Sequence, residues 1–219
     1  MDRLSIYELL SFVVPGVIMI ELINFSAEYV FGKAPLITAG NLSDGLLFFA
    51  IALFIGCLIH IITFWLIKRK WYKKLACTPM DKMKNDEYIT EILPDLKEIY
   101  RTNKGISVTE NISNGSVFDT AYYYLEAQGK ISQAKNFQSI YFLFRNIVTL
   151  SLFVLPVSVI FLLASFFMND CSLSEKIITI IIGTFVLGGL SSVIAQWFRV
   201  KMTDRIFGLY YAELTHNKK

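Results

Sequence analysis

The stretch from Gly45 to Ile67, GLLFFAIALFIGCLIHIITFWLI, contains no Asp, Glu, Lys or Arg. As a helix it reaches about 34 Å, enough to cross a hydrocarbon core of about 30 Å. Buried helices of soluble proteins carry shorter apolar runs, so lipid is the expected solvent for this segment. Residues 147–168 and 177–198 read the same way, and only residues 169–176 separate them, which predicts a helical hairpin. The rest of the composition agrees: 54% of the chain is hydrophobic and 18% charged, against about a quarter charged in an ordinary soluble domain.

The opening segment is less simple. In YELLSFVVPGVIMIEL, Tyr7 to Leu22, two carboxylates flank an apolar run that is interrupted by Pro15 and Gly16. A secretory signal would need a basic start and a small-residue cleavage site. Here Asp2 offsets Arg3 and no such site follows, so a retained span over about residues 5–25 is expected. Proline and glycine are tolerated in a span when neighbouring groups satisfy the freed backbone atoms, and a kink near mid-membrane is expected. Glu21 lies about 20 Å along the helix from Glu8, which puts the two carboxylates near opposite interfaces.

These segments predict an all-α integral membrane protein with four transmembrane helices and a small helical cytosolic domain between spans two and three. The expected organisation is a first transmembrane pair over 1–67 (spans about 5–25 and 45–67), a cytosolic helical domain over 68–132, a second transmembrane hairpin over 133–198 (spans about 147–168 and 177–198), and a helical tail over 199–219.

Charge supplies the orientation. Of 21 Lys and Arg residues, 13 lie between Lys68 and Arg145, five follow Phe198 and one is Arg3, leaving Lys33 and Lys176 for the other side. The positive-inside rule therefore predicts cytoplasmic N- and C-termini, a cytoplasmic central segment, and outer loops at 26–44 and 169–176. The cluster KRKWYKK after the second span, with Lys68, Arg69, Lys70, Trp71, Lys73 and Lys74, is the expected membrane anchor and a contact for anionic lipid. Trp65, Trp71 and Tyr72 suit the interface.

Within the central segment, Thr78 and Pro79 read as an N-cap and first helical residue, with Met80, Met83, Tyr88 and Ile92 at near-helical spacing. A short helix over PDLKEIY follows, then a loop over RTNKGISVTENISNGS, then a helix over VFDTAYYYLEAQG that stops near Gly129. From Ser132 no helix breaker occurs until Pro156, so a helix is expected to run directly into the third span. The tail continues from the fourth span with Phe198, Met202, Ile206 and Leu209 roughly on one face, as if two projecting helices formed a stalk.

No chemistry is legible. The chain has no phosphate-binding G-x-x-x-x-G-K-[ST] loop, no G-x-G-x-x-G, no G-x-S-x-G and no H-E-x-x-H. Its two histidines, His60 and His216, have no ligand neighbours at metal-binding spacing, and no arginine precedes either at the distance that an Arg-x4-6-His ribonuclease motif needs. A non-enzymatic protein without cofactor or metal is expected. Cys57, Cys77 and Cys171 fall in a span, in the cytosol and outside, and cannot build a disulfide framework.

Four polar residues sit at odds with lipid: Glu8, Glu21, His60 and Arg145. His60 reads either as a neutral histidine hydrogen-bonded to another helix or as a proton-sensitive, pathway-lining group. Arg145 is the natural partner of Glu8 at the cytosolic side, as a structural pair or as part of a pathway. On span four Thr184, Gly188 and Ser192 recur every four residues, a pattern that allows close helix packing within one chain or between chains. Basic residues are few and diluted by acidic ones, so direct nucleic-acid binding is not expected.

In layout the chain resembles the small four-span accessory membrane proteins of bacterial antiphage systems, such as the membrane subunit of Kiwa and the ancillary membrane proteins of type VI-B CRISPR loci. SIYELLSFVVPG, opening the first span, and AKNFQSIYFLFRN, leading into the third, carry the resemblance. It implies a homo-oligomeric inner-membrane component that works with a soluble cytosolic protein partner to sense infection or disturb the membrane. The alternative is a small ion channel or transporter-like protein with Glu8, Glu21 and His60 lining a pathway.

Overall fold

The computed structural model describes residues 6–29, 32–107, 110–167 and 171–216, the side chains of 6–8, 29 and 171 excepted. Every regular element among them is helical: α1 (Ile6–Tyr29), α2 (Leu42–Leu66), α3 (Lys70–Ala76), a 3-10 turn at Met80–Lys82, α4 (Glu87–Lys104), α5 (Asn114–Ala127), α6 (Ser132–Phe167) and α7 (Cys171–His216). Four of these, α1, α2, α6 and α7, are long and apolar enough to cross a membrane. The chain divides into two compact units, one of residues 1–76 and 139–195, the other of 77–138 and 196–219. Helices α6 and α7 contribute residues to both.

In the first unit α1 and α2 cross with almost no side chain between them. A Cβ added to Gly16 would stand 1.8 Å from the Ala52 carbonyl oxygen, and one added to Gly56 would stand 1.8 Å from that of Phe12. Only glycine permits such an approach, in which Cα–H groups face carbonyl oxygens across the helices. The connection between the two helices is tied back by one buried side chain. Asn24 donates from Nδ2 to the Ile37 carbonyl at 2.7 Å, and its Oδ1 accepts from the Leu36 and Ile37 N–H groups at 3.1 Å each. Asn41 then caps α2, its side chain accepting from the Asp44 N–H at 2.9 Å.

Helix α6 supplies the side chains that fill the remaining interior. Leu150 and Val154 pack with Ile59, flanked by Ile18, Met19, Leu22, Ile55 and Ile180, while Val148 packs with Leu66, Tyr72 and Ala76. The opposite faces are bare and apolar: Leu46, Phe54, Ile61 and Phe64 on α2, Ile160, Leu163 and Phe166 on α6, Ile182, Phe185, Leu190 and Val193 on α7. Exposure on this scale suits contact with lipid rather than water.

The second unit has its own core. Ile89, Ile92 and Leu96 of α4, Val117, Phe118, Ala121 and Leu125 of α5, and Ile131 and Ala134 meet Met202, Ile206, Phe207 and Tyr210 of α7. The expected apolar stripe of the tail is present, but it is no separate stalk: it closes the core begun by the central segment. Ion pairs fasten the same elements, Lys130 with Glu213 at 2.7 Å and Lys201 with Asp86 at 3.1 Å.

Two local expectations change. No helix starts at Thr78 and Pro79, because only the 3-10 turn forms there and Asp81 turns away to accept the Asn114 N–H at 2.8 Å, capping α5. Helix α4 begins at Glu87 and continues through Pro94, joining two segments that read as separate helices. Proline's absent N–H leaves only the Thr90 carbonyl without its helical partner, and Thr90 is on the exposed side. Gly105 closes α4 at φ 64°, the helix running four residues past the expected end at Tyr100, and Gly129 follows α5 at φ 68°, where a stop was expected; a Cβ would be strained in both conformations.

Candidate functional site: a buried polar cluster around Arg145

Pro15 sets up the first contact. It has no N–H, so within α1 the carbonyl of Ser11, four residues earlier, loses its helical donor. Asn146 of α6 supplies one, its Nδ2 lying 3.1 Å from that oxygen. The neighbouring-helix rescue expected for this proline is therefore present, and it comes from a side chain that has no exposed surface.

The rescue orients the rest of the cluster. With Nδ2 committed to Ser11, the same nitrogen faces His60 Nδ1 at 3.3 Å. A donor there makes Nδ1 the acceptor, which leaves the ring proton on Nε2. The half-buried imidazole also packs against rings, Phe12 and Phe142 edge-on at 5.0 and 5.3 Å and Phe64 at 6.5 Å. His60 thus occupies the hydrogen-bonded position between helices.

Arg145, next on α6, is 2% exposed. Its guanidinium carbon lies 4.5 Å from the Phe142 ring centre and 5.1 Å from that of Tyr141, which gives the cation two aromatic faces. Its Nε and Nη2, and the Oδ1 of Asn146, have no hydrogen-bond partner among the described residues. The Glu8 side chain lies outside the described residues, and so does the expected Glu8–Arg145 pair. The Arg145 carbonyl accepts from Tyr72 Oη at 3.1 Å, Tyr72 Oη is 2.7 Å from Thr149 Oγ1, and Thr63 Oγ1 donates to Thr149 Oγ1 at 2.7 Å. Tyr72 is consequently a core residue with no exposed surface, not the interfacial one expected. It follows Trp71 about 100° around α3, and its hydroxyl meets the Arg145 carbonyl and Thr149 in the interior.

Glu21 is elsewhere. It is exposed and lines a cavity of about 570 Å³ with Asn24, Glu28, Thr38 and Phe48, which does not include His60. On α7, Gly188 faces Ser151 of α6, where an added Cβ would approach its side chain at 2.9 Å, and the Ser192 hydroxyl donates to the Leu75 carbonyl. Both contacts are within one chain. Thr184 borders a shallow apolar cavity with Ile18, Leu22 and Leu150. Of the anchor residues, Lys68, Arg69, Lys70, Trp71 and Lys74 are exposed and Lys73 is half-buried, with the Arg69 guanidinium 4.7 Å from the Trp65 ring centre.

Ser11, Thr63, Asn146 and Thr149 went unread in the sequence. Counting back four residues from Pro15 would have found the needy carbonyl; nothing in the sequence alone would have found its donor. Among the described residues no three His, Cys, Asp or Glu side chains are placed to hold a metal ion. Comparison with protein families, with curated proteins and with solved structures finds no match.

Proposed function

We propose that this chain is a non-enzymatic, homo-oligomeric component of a bacterial inner membrane, serving a defence system, that docks a soluble protein on its cytosolic side and senses or perturbs the membrane. The observation that supports this reading most is the second unit. Two helices with long apolar stretches continue into a module that has its own core, its own caps and its own ion pairs. A protein that only needed to sit in lipid would have no use for it. The module also presents exposed aromatic rings, Tyr123 at 69% and Tyr88 at 54%, and tyrosine is enriched where protein surfaces bind tightly. The excess of Lys and Arg in the central segment and tail supports a cytosolic position for the module.

A pathway lined by Glu21 and His60 draws no support from the arrangement, since the cavity that Glu21 lines does not include His60, which packs against Phe12 and Phe142.

The test is capture of full-length protein from its native host in mild detergent. A soluble protein should co-purify at a fixed ratio and be lost from Tyr123→Ala while the membrane protein accumulates normally. Recovery of the chain alone, or unaltered capture by every surface variant of the module, would overturn the docking role.

A further inference from the structure

Within the unit of residues 77–138 and 196–219, the first turn of α4 rests on α7 beside Gly208, where an added Cβ would stand 3.7 Å from Ile89 Cδ1 and 4.0 Å from Tyr88 Cε1. Asp204 precedes Gly208 by about one helical turn, so the start of α4 also stands by its carboxylate. Asp204 is 7% exposed, and neither of its carboxylate oxygens has a hydrogen-bond partner among the described residues. Asp86, at the N-cap of α4, makes no side-chain cap; its carboxylate instead accepts from Lys201 Nζ at 3.1 and 3.3 Å. Asn85, the residue before it, has a buried Oδ1 that also lacks a partner.

The charges do not balance. Burial first, and then the Asp86 carboxylate, raise the Asp204 carboxyl to about 6, against the weaker pull of the Asp86 N–H and of Lys201. At neutral pH, therefore, two carboxylates share one ammonium, and the surplus negative charge sits on the side chain that water reaches least. A buried charge of this kind is costly unless a counter-charge meets it.

We propose that Asp204 and Asp86 together hold a hard divalent cation, Mg²⁺ in preference to Ca²⁺. Every group in surplus here is an oxygen acceptor, the chemistry that magnesium and calcium take. Magnesium is bound through one or two carboxylates and keeps several of its waters, whereas calcium asks for six to eight oxygens. Two carboxylates suit the first, and the 57% exposure of the Asp86 side chain leaves that side open to the waters. Lys201, 35% exposed, has room to swing away when the cation arrives.

Thermal unfolding of the full-length protein in detergent at pH 7.5 reads the site. About 10 mM MgCl₂ should raise the wild-type midpoint by about 4 °C over NaCl of equal ionic strength, the rise that a Kd of about 1 mM gives. Asp204→Asn keeps the side-chain shape and should lose the rise. Asp119→Asn, which removes an exposed carboxylate of α5, should keep it. Lys201→Gln removes the competing ammonium and should lower the magnesium concentration at half-effect about fivefold, the influence of one charge at about 4 Å in water. At pH 5, where a proton occupies Asp204, the wild-type rise should shrink to about 1 °C. A wild-type rise no larger in MgCl₂ than in NaCl, or an equal rise in Asp204→Asn, would overturn the proposal. Half-effect at a lower concentration of CaCl₂ than of MgCl₂ would keep the oxygen site and overturn magnesium as its ion.

Discussion

Asn146 hands its amide nitrogen to the carbonyl of Ser11 at 3.1 Å, the one α1 acceptor that Pro15 leaves without a helical donor. A proline on one helix and an asparagine on another are thus coupled through the carbonyl of a third residue. Asn146→Leu should strand the carbonyl and lower stability in detergent by about 1–3 kcal/mol. Pro15→Ala restores the missing N–H, so it should recover most of that loss in the Asn146→Leu background. Thermal unfolding of the two single variants and the double variant gives the coupling, and simple additivity would dissolve the pair.

The crossing of α1 and α2 is the least forgiving packing in the chain. An alanine at Gly16 or Gly56 puts a methyl group against backbone, which cannot rotate away. Each substitution should cost about 3 kcal/mol or more and reduce accumulation in the membrane. Gly45, with nothing within 4 Å of an added Cβ, is the control: Gly45→Ala should be neutral or stabilise α2 by up to about 1 kcal/mol. Similar losses at all three positions would contradict the close crossing.

Assembly can be separated from folding on adjacent glycines of α7. Gly188 faces Ser151 inside the chain, whereas Gly189 is exposed with nothing near it. Gly188→Leu should therefore destabilise the monomer. Gly189→Leu should leave the fold intact and lower the oligomer mass in nanodiscs, if the bare face around Val186, Leu190 and Val193 meets another copy. A wild-type mass equal to one chain would remove the oligomer from the proposal.

Asp204 gives the second unit a pH response. Burial, and next the negative charge of Asp86, push its carboxyl up from the ordinary carboxylate range to about 6. The folded state then binds a proton more tightly than the unfolded chain does, so stability falls as pH rises from about 4 to about 6 and stays low above. Asp204→Asn should stabilise the protein at pH 7.5 and have little effect near pH 4. Unfolding midpoints of both proteins across that range check the sign, and a penalty for Asp204→Asn at pH 7.5 would reverse it.

Orientation needs reporters that a reagent can reach. Cys77 is 8% exposed and packed against Arg199, so it would stay unlabelled on either side, and the Cys171 side chain lies outside the described residues. Leu36→Cys, 67% exposed, and Tyr123→Cys, 69% exposed, are better placed in a background without native cysteines. In sealed cells an impermeant maleimide should label the first and spare the second. The opposite pattern would invert the topology.

What the sequence disclosed, and what it withheld, follows from the range of the forces involved. The four long helices were legible because hydropathy is summed over some 20 neighbouring residues. Gly129 and the α5 boundary were legible because turn chemistry is local. The partner of the α4 and α5 core was not, since Met202 and Ile206 show a stripe but not what it meets. Tyr72 looked interfacial by composition, and only the placement of Thr149 and the Arg145 carbonyl makes it a core residue. Gly16 and Gly56 were visible as glycines; their reciprocal contact depends on the register between two helices, which no single segment encodes.

The Ser11 carbonyl also has a history in the order of synthesis. Helices α1 and α2 can dock through their glycines as soon as both have left the ribosome, but Asn146 is made only after the whole central segment. Until then the early hairpin carries an open acceptor in a solvent that offers no donor. A nascent chain released after α3 should accordingly be shorter-lived than one released after α6, and its half-life should lengthen when Pro15→Ala closes that bond from within.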